Sequence, residues 1–131
     1  MKRVLFVCVR NACRSQMAEG FAKELGEGII EAHSAGSQPS GIVNPKTVAA
    51  MREAGVDISS HESKGFDALP QVEWDVVVTM GCGDACPFLR AKMRIDWELP
   101  DPSEMSQLEF NRVRDEIRGR VLELIDCLEN G

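Results

Sequence analysis

An α/β fold built on a mainly parallel sheet, with helices on both faces, is what this sequence predicts. Three observations point to it. Short runs of β-branched residues alternate with stretches whose apolar positions recur every three or four residues, the pattern of strands alternating with helices. Clusters of glycine and proline separate the two kinds of segment. The segments richest in reactive side chains come directly after strand candidates, where open parallel sheets hold their ligands.

Residues 3–7 (RVLFV) form the first strand candidate. Residues 14–25 follow with Met17, Phe21 and Leu25 four apart, a helical spacing that Gly26 and Gly28 bring to an end. A second strand is expected over 29–34, before the Gly/Ser/Pro-rich loop 36–41. Asn44 then caps a second helix with Pro45 in its first position, and that helix carries Val48 and Met51 and stops at Gly55. Residues 56–68 lack periodicity and read as surface loop with short turns. Residues 74–79 (WDVVVT) are the clearest buried strand. A loop with glycines and cysteines follows, then a short apolar-polar stretch over 93–97 and a loop over 98–106 with two prolines. In the last helix Phe110, Val113, Ile117, Val121, Leu124 and Leu128 make one apolar stripe. Opposite it Arg112, Arg114, Arg118 and Arg120 alternate with acidic residues, a pattern expected of a solvated, salt-bridged face.

The 131 residues, 44% of them hydrophobic, suffice for one compact domain spanning residues 1–131. The longest apolar runs, 4–8 and 76–80, fall far short of the ~20 residues a membrane-spanning helix needs. Lys2 and Arg3 imitate the start of a secretory signal, but the apolar run after them breaks at Arg10, so a cytoplasmic monomer with no membrane partner is expected. A net charge of −6 and a pI near 4.9 argue against a nucleic-acid surface. An anionic substrate must therefore be captured locally. The five cysteines are odd in number, which points to reactive thiols or a metal site and not to a disulfide framework.

The segment Cys8-Val9-Arg10-Asn11-Ala12-Cys13-Arg14-Ser15 lies between a strand and a helix amino terminus. Backbone N–H groups in such a turn form a nest for a tetrahedral oxyanion, and the helix dipole adds positive potential. The same field favours the nucleophilic, ionised form of a thiol placed there, which makes Cys8 the candidate nucleophile. Arg14 suits the anion because its planar fork donates two hydrogen bonds to two oxygens. Ser15 is expected to donate its hydroxyl to the Cys8 sulfur, the alternative being a plain helix-start residue. Asn11 is expected to hold the tight turn in a left-handed conformation. Cys13 reads as a small packing residue of the loop, with redox partner of Cys8 as the alternative. His33 and His61 read as hydrogen-bonded structural residues, and Trp74 and Trp97 as packing.

Read together with SAG at 34–36, VNPK at 43–46, DIS at 57–59, VVVTMGCGDACP at 76–87, Trp97 followed by Asp101-Pro102, and FNRVRDEI at 110–117, the loop resembles the low-molecular-weight protein tyrosine phosphatase fold in its arsenate reductase branch. The phosphatase branch usually has Pro after Arg-Ser and tyrosines after the Asp-Pro pair, whereas this chain has Gln16, Ser103 and no tyrosine. The resemblance implies a four-stranded parallel sheet and a reaction with arsenate. Cys8 would attack arsenic, Asp101 would protonate the leaving oxygen, and Cys82 would then attack Cys8, expelling arsenite. Cys86 would take over Cys82 in a thioredoxin-coupled cycle, the alternative being that Cys86 is a bystander; with only three residues between these two cysteines, a glutaredoxin and glutathione donor stays open. An i,i+4 pair on a helical turn has a Cα separation compatible with a disulfide. Some thioredoxin-coupled members bind potassium through residues matching Asn11, Glu19 and Ser34, but the fourth, acidic partner falls at Lys64, whose ammonium would take the ion's place. No metal and no cofactor are therefore expected. Two rival readings are a phosphomonoester phosphatase, which leaves Cys82 without a task, and a zinc module of Cys8, Cys13, Cys82 and Cys86, for which the Cys8–Cys13 spacing is too wide.

Overall fold

The computed structural model describes residues 1–80 and 89–130. Four strands, β1 (Lys2–Cys8), β2 (Ile30–Gly36), β3 (Trp74–Thr79) and β4 (Ala91–Asp96), form one sheet in the order β2-β1-β3-β4, every pair parallel. Three helices, α1 (Arg14–Leu25), α2 (Pro45–Glu53) and α3 (Gln107–Asn130), and a 3-10 turn at Phe66–Ala68 complete the described elements. None of these helices is long and apolar enough to cross a membrane.

The alternation of side chains along a strand divides the apolar residues of β1 between two cores. Val4, Phe6 and Cys8 face the larger one, with Met17 and Phe21 of α1, Met51 of α2, and Phe110, Ile117 and Val121 of α3. Leu5 and Val7 face a smaller core with Ala35, Trp74 and Val77, covered by Phe66 of the 3-10 turn and by Leu69 and Val72. Phe6 and Trp97 meet with ring centroids 5.8 Å apart, so both tryptophans are packing residues, as expected. The strand β4 lies at the sheet edge and keeps Lys92, Arg94 and Asp96 exposed, the charged kind of edge that resists further pairing.

Asn44 caps α2 as read from the sequence, its Oδ1 accepting the Lys46 amide hydrogen at 2.9 Å. Three expectations need correction. The second strand runs to Gly36, two residues beyond 34, because its ladder with β1 continues to the Cys8 and Gly36 pair. Residues 56–68 are not simply surface loop: Val56 and Ile58 are buried in the larger core, where aperiodic spacing hid them. Arg114 leaves the solvated face of α3. It is buried and donates to the Ala50 carbonyl at 3.0 Å, near the carboxyl end of α2, where a cation offsets the unpaired carbonyls.

Because β1, β3 and β4 are parallel neighbours, the segments after Val7, Thr79 and Trp97 leave the sheet at one edge. Two bonds bind that edge together: the Met80 amide donates to Val7 O at 2.7 Å and the Trp97 amide to Thr79 O at 2.9 Å.

Candidate active site

The loop between β1 and α1 is shaped by what holds its carbonyls. Cys8 O accepts from the Ser37 amide at 3.3 Å, Val9 O from the Gln38 amide at 2.8 Å, and Arg10 O from the Ser40 amide at 3.1 Å and Ser63 Oγ at 2.9 Å. Asn11 O accepts from Gln16 Nε2 at 3.2 Å, and Ala12 O from the Asn44 amide at 3.1 Å and Thr47 Oγ1 at 3.0 Å. In a planar trans peptide the N–H points opposite to the C=O. Drawing five successive carbonyls toward the surrounding walls therefore turns the amides of Val9 to Cys13 away from those walls, which is the arrangement an oxyanion nest requires. Gly36 makes this fit possible: a Cβ on it would lie 2.5 Å from Val9 O and 2.9 Å from Asn11 N.

Cys8 is buried, with Sγ 2.9 Å from Ser15 Oγ. Asn11 decides the direction of that contact. Its Nδ2 donates to Ser15 Oγ at 2.7 Å and to Ser34 Oγ at 3.0 Å, so the Ser15 hydroxyl hydrogen is free to point at sulfur. Asn11 itself has φ of 51°, the left-handed conformation expected of it. Its Oδ1 accepts from Gln16 Nε2 and from the Lys64 amide, both at 2.9 Å.

Behind Asn11 lies a polar network. Ser34 Oγ donates to Glu19, whose other oxygen is 2.5 Å from Lys23 Nζ, and Lys64 Nζ stands 3.5 Å from Glu19 Oε1. Burial alone would raise the Glu19 carboxyl, but hydrogen bonds from Lys23 and Ser34 and the charge of Lys64 hold it below the ordinary carboxylate range. Two ammonium groups already neutralise this carboxylate, so the donor set does not fit a potassium ion. Gln16 extends the network, its Oε1 lying 3.0 Å from His61 Nδ1 and its Nε2 donating to Glu62 O at 2.9 Å. Burial lowers the His61 pKa, so this ring is a neutral hydrogen-bonding residue, the structural role read from the sequence.

Arg14 is only 7% exposed. It donates one bond, to Leu99 O at 3.1 Å, and its buried Nε has no partner among the described residues. A buried donor without an acceptor is costly, and an anion in the nest would satisfy it. One open cleft of about 890 Å³ is lined by Cys8, Arg10, Cys13, Arg14, Asp101 and Glu104 among others. Asp101 is exposed there, its Oδ1 accepting from the Ser103 amide at 3.0 Å. Cys13 is buried, and burial pushes its thiol up, in keeping with packing.

The structure thus brings together Cys8, Arg14, Ser15, Asp101 and the loop residues Val9 to Cys13, whereas Cys82 and Cys86 lie outside the described residues. Sequence reasoning missed the bracing by Gln16, Thr47, Ser63 and the Lys64 backbone, which no spacing along the chain announces.

Comparison with known proteins gives a consistent set of likenesses. The family model described as low molecular weight phosphotyrosine protein phosphatase matches residues 3–131. A glutaredoxin arsenate reductase of Synechocystis sp. is 44% identical over 128 residues, covering 95% of this chain and 97% of that protein. A solved arsenate reductase in its phosphate binding state superimposes with a TM-score of 0.89 at 43% identity, covering 98% of this chain and 99% of that one. A thioredoxin-dependent arsenate reductase of Corynebacterium glutamicum gives a TM-score of 0.82 at 36% identity, over 98% of this chain and 62% of that one.

Proposed function

The chain belongs to the low-molecular-weight phosphotyrosine protein phosphatase family, and from that premise we propose that it reduces arsenate to arsenite in the cytoplasm, as one catalytic unit of residues 1–131, for arsenic detoxification. The observation that carries this reading is the meeting of a buried thiol, a buried arginine with an uncommitted donor, and an aspartate in one cleft.

In this reading arsenate enters the nest and takes hydrogen bonds from the loop amides and from Arg14. Cys8 sulfur attacks arsenic, Asp101 gives a proton to the departing oxygen, and water leaves as the sulfur–arsenic bond forms. The Ser15 hydroxyl supports the sulfur before and after the attack. Cys82 sulfur then attacks Cys8 sulfur. The sulfur–arsenic bond breaks with its electron pair staying on arsenic, which leaves as arsenite, two electrons richer, while the two thiols are oxidised to a Cys8–Cys82 disulfide. Cys86 exchanges into that disulfide and offers it to an external dithiol donor. Thioredoxin is the donor favoured here, with glutaredoxin and glutathione as the second possibility; relatives named for each are known, the glutaredoxin-named one at 44% identity and the thioredoxin-dependent one at 36%.

The test is a single turnover of reduced protein with arsenate, followed by disulfide mapping and then by addition of either donor system. Arsenite with a Cys8–Cys82 or Cys82–Cys86 disulfide is the expected result. Full arsenite release by Cys82→Ser without added thiol would overturn the relay.

A further inference from the structure

Arg10 is the one charged side chain among residues 9–13, and the proposed reaction does not use it. It is exposed, it lines the cleft that holds Cys8 and Arg14, and no carboxylate among the described residues pairs with it. Its backbone is fixed from two sides, the carbonyl accepting from the Ser40 amide and from Ser63 Oγ, so the base of the side chain stays at the mouth.

Charge gives this position its meaning. The chain as a whole carries −6, and the cleft also presents Asp101 and Glu104, so an approaching dianion meets repulsion from the protein at large and from the cleft wall. Arg14 is a poor beacon, being buried and already bonded to Leu99 O. At physiological ionic strength fields fade over about 8 Å, so only a cation at the mouth can act on an anion still in solvent.

We propose that the Arg10 side chain is the anion-entry residue of this cleft: it raises the local concentration of oxyanions and selects charged over neutral reagents before Arg14 and the amides engage them. It is a specificity-determining residue, and the inference rests on the arsenate reading only for the identity of the natural anion. A unit charge acting on a monoanion or dianion at this range changes the capture rate roughly three- to tenfold.

The test uses two alkylating probes of similar shape, anionic iodoacetate and neutral iodoacetamide, on the full chain, with the rate at Cys8 followed by peptide mass spectrometry. Arg10→Gln should lower the iodoacetate to iodoacetamide rate ratio at Cys8 roughly three- to tenfold, and Arg10→Lys should keep it. Added salt should lower the ratio in the wild type and in Arg10→Lys, and should not lower it in Arg10→Gln, where salt screens the remaining repulsion from the acidic cleft wall. An unchanged ratio in Arg10→Gln overturns the inference, as does a wild-type ratio no higher than that of free cysteine. In parallel, the KM for arsenate should rise by a similar factor in Arg10→Gln. Failure of the wild type to form arsenite would sink the arsenate reading, while the alkylation ratio still decides the role of Arg10.

Discussion

Every polar atom of the Asn11 side chain has work in the loop: its two amide hydrogens hold Ser15 and Ser34, and its oxygen takes bonds from Gln16 and Lys64. The Cys8 sulfur therefore sees a hydroxyl whose direction is set from Asn11, four positions before Ser15. Ser15→Ala removes that donor and should lower kcat for arsenite formation roughly 10- to 100-fold with little change in KM, by steady-state assay. The network behind it sets a pH dependence. Glu19 is held below its ordinary 4.5, so its contribution to stability is full above that value and is lost as the pH falls through the lower folded value. His61 is held below its ordinary 6.5, so the unfolded chain takes up that proton first and stability already declines below about 6.5. Urea midpoints should thus be level above pH 7 and fall in two stages on acidification, and Glu19→Gln should shrink the second stage, to which Glu31, Asp57 and Asp75 also contribute. A second stage of the same size in the variant would show that Glu19 makes no contribution to it. Of these residues the sequence discloses Cys8, Arg14 and Ser15, because their spacing between a strand and a helix has a mechanism behind it. Asp101 is visible only through the resemblance. The Glu19–Lys64 contact is likewise visible only through the resemblance, and the Gln16–His61 contact is not visible at all, since it joins residues 45 positions apart.

At the scale of elements, the end of β2 and the loop after β1 form one piece of construction. Gly36 pairs with Cys8 and leaves no room for a side chain, since the nearest atoms to an added Cβ are backbone. Gly36→Ala should destabilise by about 1–3 kcal/mol and also depress activity, because relief requires the loop itself to move. Gly20→Ala is the control. There the added carbon meets Ile58 Cγ2 at 2.8 Å and Met51 Cε at 3.0 Å, atoms of the buried core and not of the loop, so the core must shift and the roughly 0.5–1 kcal/mol gained by replacing a helix glycine is offset, while the loop is left in place. Thermal denaturation and turnover of the two variants should separate cleanly; equal loss of activity in both would contradict the bracing role of Gly36. The periodic elements α1, α2, α3 and β3 are readable from the sequence because each repeats its apolar residues. The brace over residues 56–68 is not, because two buried residues, Val56 and Ile58, are too few to make a period.

For the molecule as a whole, capture of an oxyanion should be linked to folding. Any ligand that binds only the folded chain stabilises it by mass action, about 2.7 kcal/mol at a hundredfold excess over Kd. Inorganic phosphate, a tetrahedral stand-in for arsenate, should therefore raise the melting temperature in a concentration-dependent way, and Arg14→Ala should abolish most of the rise. A rise of equal size in that variant would mean that phosphate stabilises the chain elsewhere. The parallel sheet covered on both faces was predictable from alternating elements, whereas the strand order was not, since no local pattern states which strands are neighbours. That order has a further result. Strand β1 is flanked on both sides, by β2 along its whole length and by β3 from Val4 to Val7, and the reacting sulfur hangs from its last residue. Deuterium uptake along this strand should be among the slowest in the protein, so the nucleophile is moored to the part of the chain that lets go last, and heating should extinguish turnover and native shape in a single event.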